Sequence, residues 1–272
     1  MSRHDVTDKE WNAIRVFLPK ERSGKRGRPW NTHRRIVNGI LWVLHVGAGW
    51  RDVPQEYGKW QTIYNRFRRW SQEGLWDRIW KRLLRRLDRN RKISRVLWSV
   101  DGSIIRAHRS AAGGSCKTQR NAEENALGRS RGGYSTKIHV VCDTKGIPLG
   151  ITATAGQKGE APEFENVMNS IRLPIGRKVK RPKAVAGDKA YSSGAIRSWL
   201  RKRTIKDVIP TRSNETSNPR FAKNLYRQRN IVERVIGRLK EFRRIATRYD
   251  KNKENYLAMI TIAFFRITAK AI

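Results

Sequence analysis

The spacing of apolar residues changes its character once along the chain, near residue 96. Before that point apolar side chains recur every three or four residues, as in residues 36–44, which predicts amphipathic helices. After it they come in short runs such as residues 96–100, which predicts β-strands. Eight of the ten Trp lie in the helical part, which we therefore expect to have its own aromatic core. The pattern predicts an all-helical domain over residues 1–92 and an α/β domain over residues 93–272.

The balance of charge indicates the kind of partner. Sixty Lys and Arg against 23 Asp and Glu give a formal net charge of +37, which is more than solubility needs and suits the neutralisation of phosphates. Ten Trp, seven Tyr and seven Phe are more than a disordered basic tail carries, so the chain is expected to fold. Double-stranded DNA is the expected partner, although a basic nucleic-acid packing protein would carry a similar charge.

Cysteine usage and hydropathy indicate the compartment. Two cysteines exclude a multi-cysteine zinc site and a framework of several disulfides, which favours a reducing environment. The sequence shows no apolar run near the length of a membrane span and no signal-peptide pattern after Met1. We expect a cytoplasmic protein that is associated with the nucleoid and has no membrane partner.

The predicted helix that follows Gly58 combines an aromatic inner face with a basic outer face. With the helix before it, it has the outline of a helix-turn-helix. Arg66, Arg68 and Arg69 are its candidates for contacts with DNA. The alternative is a small helical bundle whose surface is basic for no particular purpose.

Two aspartates follow predicted strands in the second part. The run at residues 96–100 leads into Asp101, and the run at residues 184–187 leads into Asp188. A single Asp in that position is more often a turn residue or a helix cap. Residues 109–135 have little periodicity and are predicted to form a long loop.

One further predicted helix, over residues 226–240, presents polar groups on a single line. At roughly 100° per residue, Tyr226, Arg229, Glu233 and Lys240 fall within about 60° of one another. The apolar residues form a separate, broader face, as in a helix packed on a core. The stripe is either a solvated surface or a site in which one carboxylate holds a cation beside a polyanion.

The spacing of this stripe resembles the YREK signature of the bacterial IS4/IS5 group of DDE transposases. Blocks at residues 100–108, 126–139 and 187–191 resemble those of the IS5 type in the same order, so the resemblance covers nearly the whole chain. It implies an α/β catalytic domain of RNase H-like fold, with a mixed sheet and flanking helices, preceded by the helical DNA-binding domain. Around residues 157–160 the chain departs from the pattern, because many relatives carry His and an acid there.

The resemblance also implies a chemistry. Asp101, Asp188 and Glu233 would be the catalytic residues and would hold two Mg²⁺ ions, for which Mn²⁺ can substitute, with Asp101 bridging both. Arg229 and Lys240 would contact phosphates near the cut, and Tyr226 the terminal nucleotides.

The implied function is that of a transposase that binds the terminal inverted repeats of an insertion sequence, cleaves the DNA ends and joins them to target DNA. A homodimer or higher homo-oligomer on DNA is the expected assembly. The alternative is a catalytically inactive DNA-binding regulator of the same fold, against which the presence of all three acids counts.

Overall fold

The described part of the first ninety residues is helical in the computed structural model, which describes residues 3–21, 32–112, 124–171, 173, 181–216, 218–219 and 221–269. Their α-helices are α1 (Asp8–Ile14), α2 (His33–Val46), α3 (Trp60–Gln72) and α4 (Leu75–Arg89). Three 3₁₀ turns accompany them, at Arg15–Phe17, Trp50–Asp52 and Gln55–Tyr57. The helical periodicity before residue 96 is thus confirmed.

The ends of these helices follow from local chemistry. Thr7 caps α1, because its hydroxyl accepts the Glu10 amide while the Glu10 carboxylate accepts the Thr7 amide at 2.8 Å. Gly47 ends α2 and Gly74 separates α3 from α4, both with a positive φ that glycine adopts without strain. The short link at Gly74 sets α3 and α4 as consecutive helices of one bundle.

A mixed β-sheet dominates the second part. Its strands are β1 (Leu97–Ala107), β2 (Gly128–Ser130), β3 (Gly133–Asp143), β4 (Pro148–Ala155), β5 (Ala184–Ala186), β6 (Lys206–Val208) and β7 (Thr247–Arg248). The α-helices are α5 (Arg109–Ala112), α6 (Phe164–Asn169), α7 (Gly194–Lys202), α8 (Lys223–Arg227), α9 (Asn230–Lys240), α10 (Arg243–Ala246) and α11 (Lys253–Ala269).

Strands β3, β1, β5 and β6 lie side by side in that order, with β4 and the short β2 paired to β3 and β7 paired to β1. The pairs of β3 with β1 and with β4 are antiparallel, whereas β1, β5 and β6 run parallel. The hairpin of β3 and β4 turns through Gly146, whose φ is 75°. This strand order and the flanking helices fit the RNase H-like fold that the resemblance implies.

The first strand differs from the prediction. The sequence predicted one strand that ends at Asp101 and a second strand over residues 104–107, but β1 is continuous to Ala107 and Asp101 lies in its middle, opposite Val140 of β3. The antiparallel pairing with β3 supports the strand over this whole length. The parallel partner β5 is what ends early, because its last residue, Ala186, pairs with Ser99.

Two other predicted elements need correction. The long loop predicted over residues 109–135 contains α5 and β2, although its residues 113–123 lie outside the described part of the chain. The single helix predicted over residues 226–240 is divided into α8 and α9. The Gln228 and Arg229 amides donate to carbonyls three residues back, which makes a tighter turn than an α-helix. This tighter turn takes Tyr226 off the predicted line.

The apolar core runs across the predicted boundary at residue 92. Among the described residues one cluster of buried side chains includes both Trp80 of α4 and Phe264 of α11, whose rings lie 5.4 Å apart. Arg244 of α10 donates to the Ala48 carbonyl at 3.1 Å, just after α2. The helical part therefore shares a core with the sheet, and its division as a separate domain stays a prediction.

The long apolar helices are accounted for by this core. No helix in the described part of the chain is both long and apolar enough to cross a membrane.

Candidate active site

The two aspartates predicted from strand ends meet at one edge of the sheet. Asp188 follows the end of β5 by two residues, and Asp101 follows Ser99, the β1 partner of that end, also by two residues. Because β1 and β5 run parallel, both carboxylates emerge at the same level. Asp101 accepts the Gly102 amide at 3.0 Å, and Asp188 accepts the Ala190 amide at 2.9 Å. These bonds fix the orientation of both side chains.

A third carboxylate joins them, and it is Glu160. One oxygen each of Asp101, Glu160 and Asp188 lie within 4.8 Å of one another. Glu160 precedes the 3₁₀ turn Ala161–Glu163 that follows β4, and its side chain is 17% exposed. Lys137 of β3 approaches it, with 3.5 Å between Nζ and Oε1.

The carboxylates of this cluster are partly buried and repel one another. Burial raises the pKa of Asp101 to about 6, and the nearby charges of Glu160 and Asp188 add to the rise, while Arg229 and the Gly102 amide oppose it. Burial also raises the pKa of Glu160 above its ordinary range, against the opposing charge of Lys137. Crowded, partly desolvated carboxylates favour a bound cation.

Glu233 is connected to this region through Arg229. The Arg229 guanidinium forms an ion pair with Glu233, one turn further along α9, and lies 3.5 Å from Asp101. Burial alone lowers the pKa of Arg229, but Asp101 and Glu233 raise it above its ordinary value, so the guanidinium stays charged. The Glu233 side chain is 49% exposed. It is thus linked to Asp101 by a shared arginine.

The other two residues of the predicted stripe lie before and after this pair along the chain. The Tyr226 ring is 5.7 Å from the Arg229 guanidinium, although Tyr226 belongs to α8. Lys240 is the last residue of α9 and is exposed. On the opposite side of α9, Val232, Val235, Ile236 and Leu239 are buried, as the apolar spacing predicted.

The donor set fits a hard divalent cation. Asp101, Asp188 and Glu160 supply carboxylate oxygens, which Mg²⁺ and Mn²⁺ prefer. No His or Cys belongs to this group among the described residues. The other Glu160 oxygen, Oε2, is buried and has no hydrogen-bond partner in the described part of the chain, so it has lone pairs to offer.

Comparison with known proteins gives the family. The family described as "Transposase DDE domain" matches residues 92–267. The chain belongs to the DDE transposases. A second family, described as "Putative transposase of IS4/5 family", matches residues 6–80 and places this transposase in the IS4/IS5 group.

Individual proteins are similar to this chain as well. The transposase is 31% identical over 133 residues to a putative transposase for insertion sequence element IS6501 from Brucella ovis, covering 47% of this chain and 94% of that protein. It is 35% identical over 109 residues to the uncharacterized protein y4sN from Sinorhizobium fredii, covering 40% and 81%. A crystal structure of a pre-cleavage Mos1 transpososome is similar with a TM-score of 0.27 and 11% identity, over 91% of this chain and 81% of that one.

The transposase carries the three arginines predicted to contact DNA on α3, in unequal settings. Arg68 and Arg69 are exposed. Arg66 is half-buried, lies 3.2 Å from Nδ1 of His33 and stands 5.5 Å from the Trp70 ring. Burial and the charge of Arg69 lower the pKa of Arg66. Arg66 is therefore tied into the fold, whereas the other two arginines face solvent.

Sequence reasoning missed Glu160. The chain offered a signal for it. Residues 157–160 depart from the family pattern at a place where many relatives carry an acid, and Glu160 is the one carboxylate of that stretch. Only the packing of the turn after β4 shows that this carboxylate points to Asp101.

Proposed function

We propose that this transposase is of the IS5 type and binds the terminal inverted repeats of its insertion sequence, cuts the DNA at those ends and joins the freed 3′-hydroxyl to target DNA. The observation that carries the proposal is the convergence of Asp101 and Asp188 in a chain of the DDE family. Mg²⁺ is the proposed ion, with Mn²⁺ able to replace it.

The proposed division of labour follows the geometry. Asp101, Asp188 and Glu233 are the catalytic carboxylates and metal ligands in this proposal, which is supported by the approach of Asp101 to Asp188 and by the link that Arg229 makes between Asp101 and Glu233. Bound divalent ions would activate the attacking oxygen and stabilise the charge of the leaving one. The backbone amides at Gly102 and Ala190 hold both aspartates in place for this.

Arg229 connects the acids to the DNA. In the structure its charge offsets those of Asp101 and Glu233. With these carboxylates neutralised by bound divalent ions, the Arg229 guanidinium would be free to bind a phosphate near the cut. Tyr226 and Lys240 lie on either side of it along the chain, so the Tyr226, Arg229, Glu233 and Lys240 signature forms one DNA-facing region in this proposal.

DNA binding as a whole depends on the basic surface. Arg68 and Arg69 are exposed on α3 and are proposed to contact the inverted repeats, with Arg66 beneath them. We propose that residues 1–92 read the ends, that residues 93–272 cut them, and that two or more copies assemble on the paired ends. With a net charge of +37, the protein is expected to reside on the nucleoid.

The test separates binding from cutting. Asp101→Asn, Asp188→Asn and Glu233→Gln should each abolish cleavage of a DNA fragment carrying the element's end while the affinity for that fragment is retained, because phosphate neutralisation comes from Lys and Arg. The matched control is Glu241→Gln, an exposed acid just beyond α9, which should leave cleavage unchanged.

Three outcomes would overturn the proposal. Cleavage by the wild type in excess chelator would remove divalent ions from the chemistry. Full activity in the Asp188→Asn variant would remove this carboxylate from the chemistry, whereas a wild type that binds the end but cleaves it with neither Mg²⁺ nor Mn²⁺ would favour the DNA-binding regulator.

A further inference from the structure

The chain makes room for Glu160 beside Asp101 by a glycine in the strand. A Cβ atom added at Gly102 would lie 2.8 Å from Cδ of Glu160 and 2.9 Å from its Oε1, closer than such atoms approach in proteins. The backbone of β1 thus accommodates a carboxylate that comes from the turn after β4. This close approach requires glycine at the position that follows Asp101.

Two polar groups at this point are buried without a hydrogen bond. Oε2 of Glu160 accepts none from the described residues, although Oε1 faces Lys137. The Tyr191 side chain is fully buried, and its hydroxyl likewise has no partner there. Burial, reinforced by the charges of Glu160, Asp101 and Asp188, raises the pKa of the Tyr191 phenol well above its ordinary value.

Orphaned polar atoms of this kind are costly and rare in folded proteins. A cation among the three carboxylates would satisfy the free Glu160 oxygen and relieve the repulsion between the acids. Lys137 meanwhile keeps the other Glu160 oxygen in place. The arrangement has the donor atoms and the unsatisfied lone pairs that an ion needs.

We propose that Glu160 is a ligand of the divalent ion that Asp101 and Asp188 hold, so that this transposase uses a fourth carboxylate beside its DDE set. The inference rests on the proposed function, since it adds a ligand to the same site. Glu233 then remains for the second ion, which Asp101 shares, in keeping with its position on the far side of Arg229.

Binding of Mn²⁺ to the full-length protein tests this without any assay of cleavage. Titration followed by electron paramagnetic resonance should show Mn²⁺ affinity reduced about tenfold or more in Glu160→Gln. Gly102→Ala should reduce it in the same direction, because the new methyl group displaces the Glu160 carboxylate. Glu165→Gln, an exposed acid on α6 one turn further on, is the matched control and should bind as the wild type does.

Each result has a separate meaning. Wild-type affinity in Glu160→Gln, with affinity lost in Asp188→Asn, would overturn the role of Glu160 and leave the proposed function intact. No saturable binding by the wild type would remove the metal site itself, and the proposed function with it. Thermal melting without metal controls for folding: Glu160→Gln removes a charge that repels Asp101 and Asp188 but also the partner of Lys137, so its melting temperature should stay close to that of the wild type.

A second inference comes from α4, where one face is lined by cations. Its exposed side carries six of them at intervals of three and four residues, so all lie within a sector of roughly 140°. These residues, called the α4 stripe below, are Arg78, Lys81, Arg82, Arg85, Arg86 and Arg89.

The α4 stripe works against the stability of its own helix. Four of its pairs are like charges four residues apart, each of which destabilises an isolated helix. Of the two acids of α4, Asp88 forms an ion pair with Arg95 and Asp77 lies one residue outside the stripe. Such repulsion is relieved by a polyanion along the helix.

We infer that the α4 stripe binds the sugar-phosphate backbone of duplex DNA. The helix rises about 16 Å from Arg78 to Arg89, which is about the axial rise of five base pairs of duplex DNA. This inference rests on DNA as the partner and adds a surface that the signature residues do not include.

The salt dependence of duplex binding tests the stripe. The triple variant Arg82→Gln, Arg85→Gln, Arg89→Gln should reduce the slope of log K against log salt by roughly 2.5 to 3. The matched control is the triple variant Arg201→Gln, Lys202→Gln, Lys206→Gln. It has the same net charge as the first triple variant but changes exposed cations near the end of α7, so it should alter the slope less. Equal slopes for the two triple variants would overturn the stripe as a specific surface. A wild type that binds duplex DNA without salt dependence would instead contradict the DNA partner itself.

Discussion

The acidic site and the α4 stripe place charge in opposite ways. At the site, three carboxylates from distant points of the chain are held within 4.8 Å by strand register, backbone amides and a glycine. In the stripe, six cations follow one another along a single helix and face solvent. The first arrangement depends on each position, whereas the second depends on the sum of its members. Mutations should therefore act in an all-or-none manner at the site and in small increments on the helix.

The largest effect is expected at Asp101, where ligand chemistry can be changed with little change in shape. Asp101→Cys should reduce cleavage with Mg²⁺ by on the order of 10³-fold, since metal stabilisation of the transition state is worth several kcal/mol. Partial activity should return with Mn²⁺, which accepts sulfur better than Mg²⁺ does. Single-turnover cleavage in each metal measures both.

The control is the wild type measured with the same two metals, since it already contains a buried cysteine, Cys142 of β3. If Mn²⁺ raises the cleavage activity of the wild type and of Asp101→Cys by the same factor, Asp101 is not a metal ligand. The acidic site would then not depend on the position of this carboxylate.

The next effect is on stability, at a charge that is neither catalytic nor exposed. Arg244 is buried, forms an ion pair with Asp250 at 3.3 Å and donates to the Ala48 carbonyl after α2. Arg244→Ala leaves the buried Asp250 without its partner, so we expect unfolding to become easier by about 3 kcal/mol. Urea unfolding followed by Trp fluorescence and circular dichroism measures this.

Because the apolar core crosses residue 92, both signals should shift together. An early transition confined to Trp fluorescence, which reports mostly on the first ninety residues, would show that the helical part unfolds alone. That result would support the domain boundary predicted from the sequence.

Local patterns in the sequence predicted much of the fold. The apolar spacing of residues 33–46 and the Gly47 that follows predict α2 at its observed bounds, because both signals lie within a few residues of each other. Two apolar runs at residues 136–142 and 147–154, joined by a turn that contains Gly146, predict the hairpin of β3 and β4 in the same way. The continuity of β1 was not predicted, since the strand runs on through Asp101 by pairing with β3, which lies some forty residues further on in sequence.

The site shows the same limit. Asp101 and Asp188 were predicted from strand ends and from family resemblance, and the structure brings them together. Glu160 was missed because its approach depends on the packing of a turn against Gly102, a contact between residues far apart in sequence. The break between α8 and α9 depends on a change of hydrogen bonding that a regular period cannot reveal.

A smaller effect is expected in the α4 stripe. Arg85→Glu places an acid four residues from both Lys81 and Arg89 and turns two repulsive pairs into attractive ones. We expect stability to rise by about 0.5–1 kcal/mol, and the affinity for duplex DNA to fall without being lost. Thermal melting and a binding titration at one salt concentration measure the two changes. A loss of stability would mean that Arg85 has a structural contact, and that the stripe is not a set of interchangeable charges.

The smallest effect is expected at Lys240, which connects the two kinds of charge. It is exposed at the end of α9, two turns beyond Glu233 and away from the buried face of the helix. As one phosphate contact among many, Lys240→Ala should reduce the slope of log K against log salt for end binding by about one, with no change in thermal stability. Arg238→Ala, an exposed cation in the same turn of α9, is the matched control. A slope equal to that of the wild type would show that Lys240 is merely solvated. A loss of cleavage much larger than the loss of binding would place Lys240 with the position-dependent residues of the site.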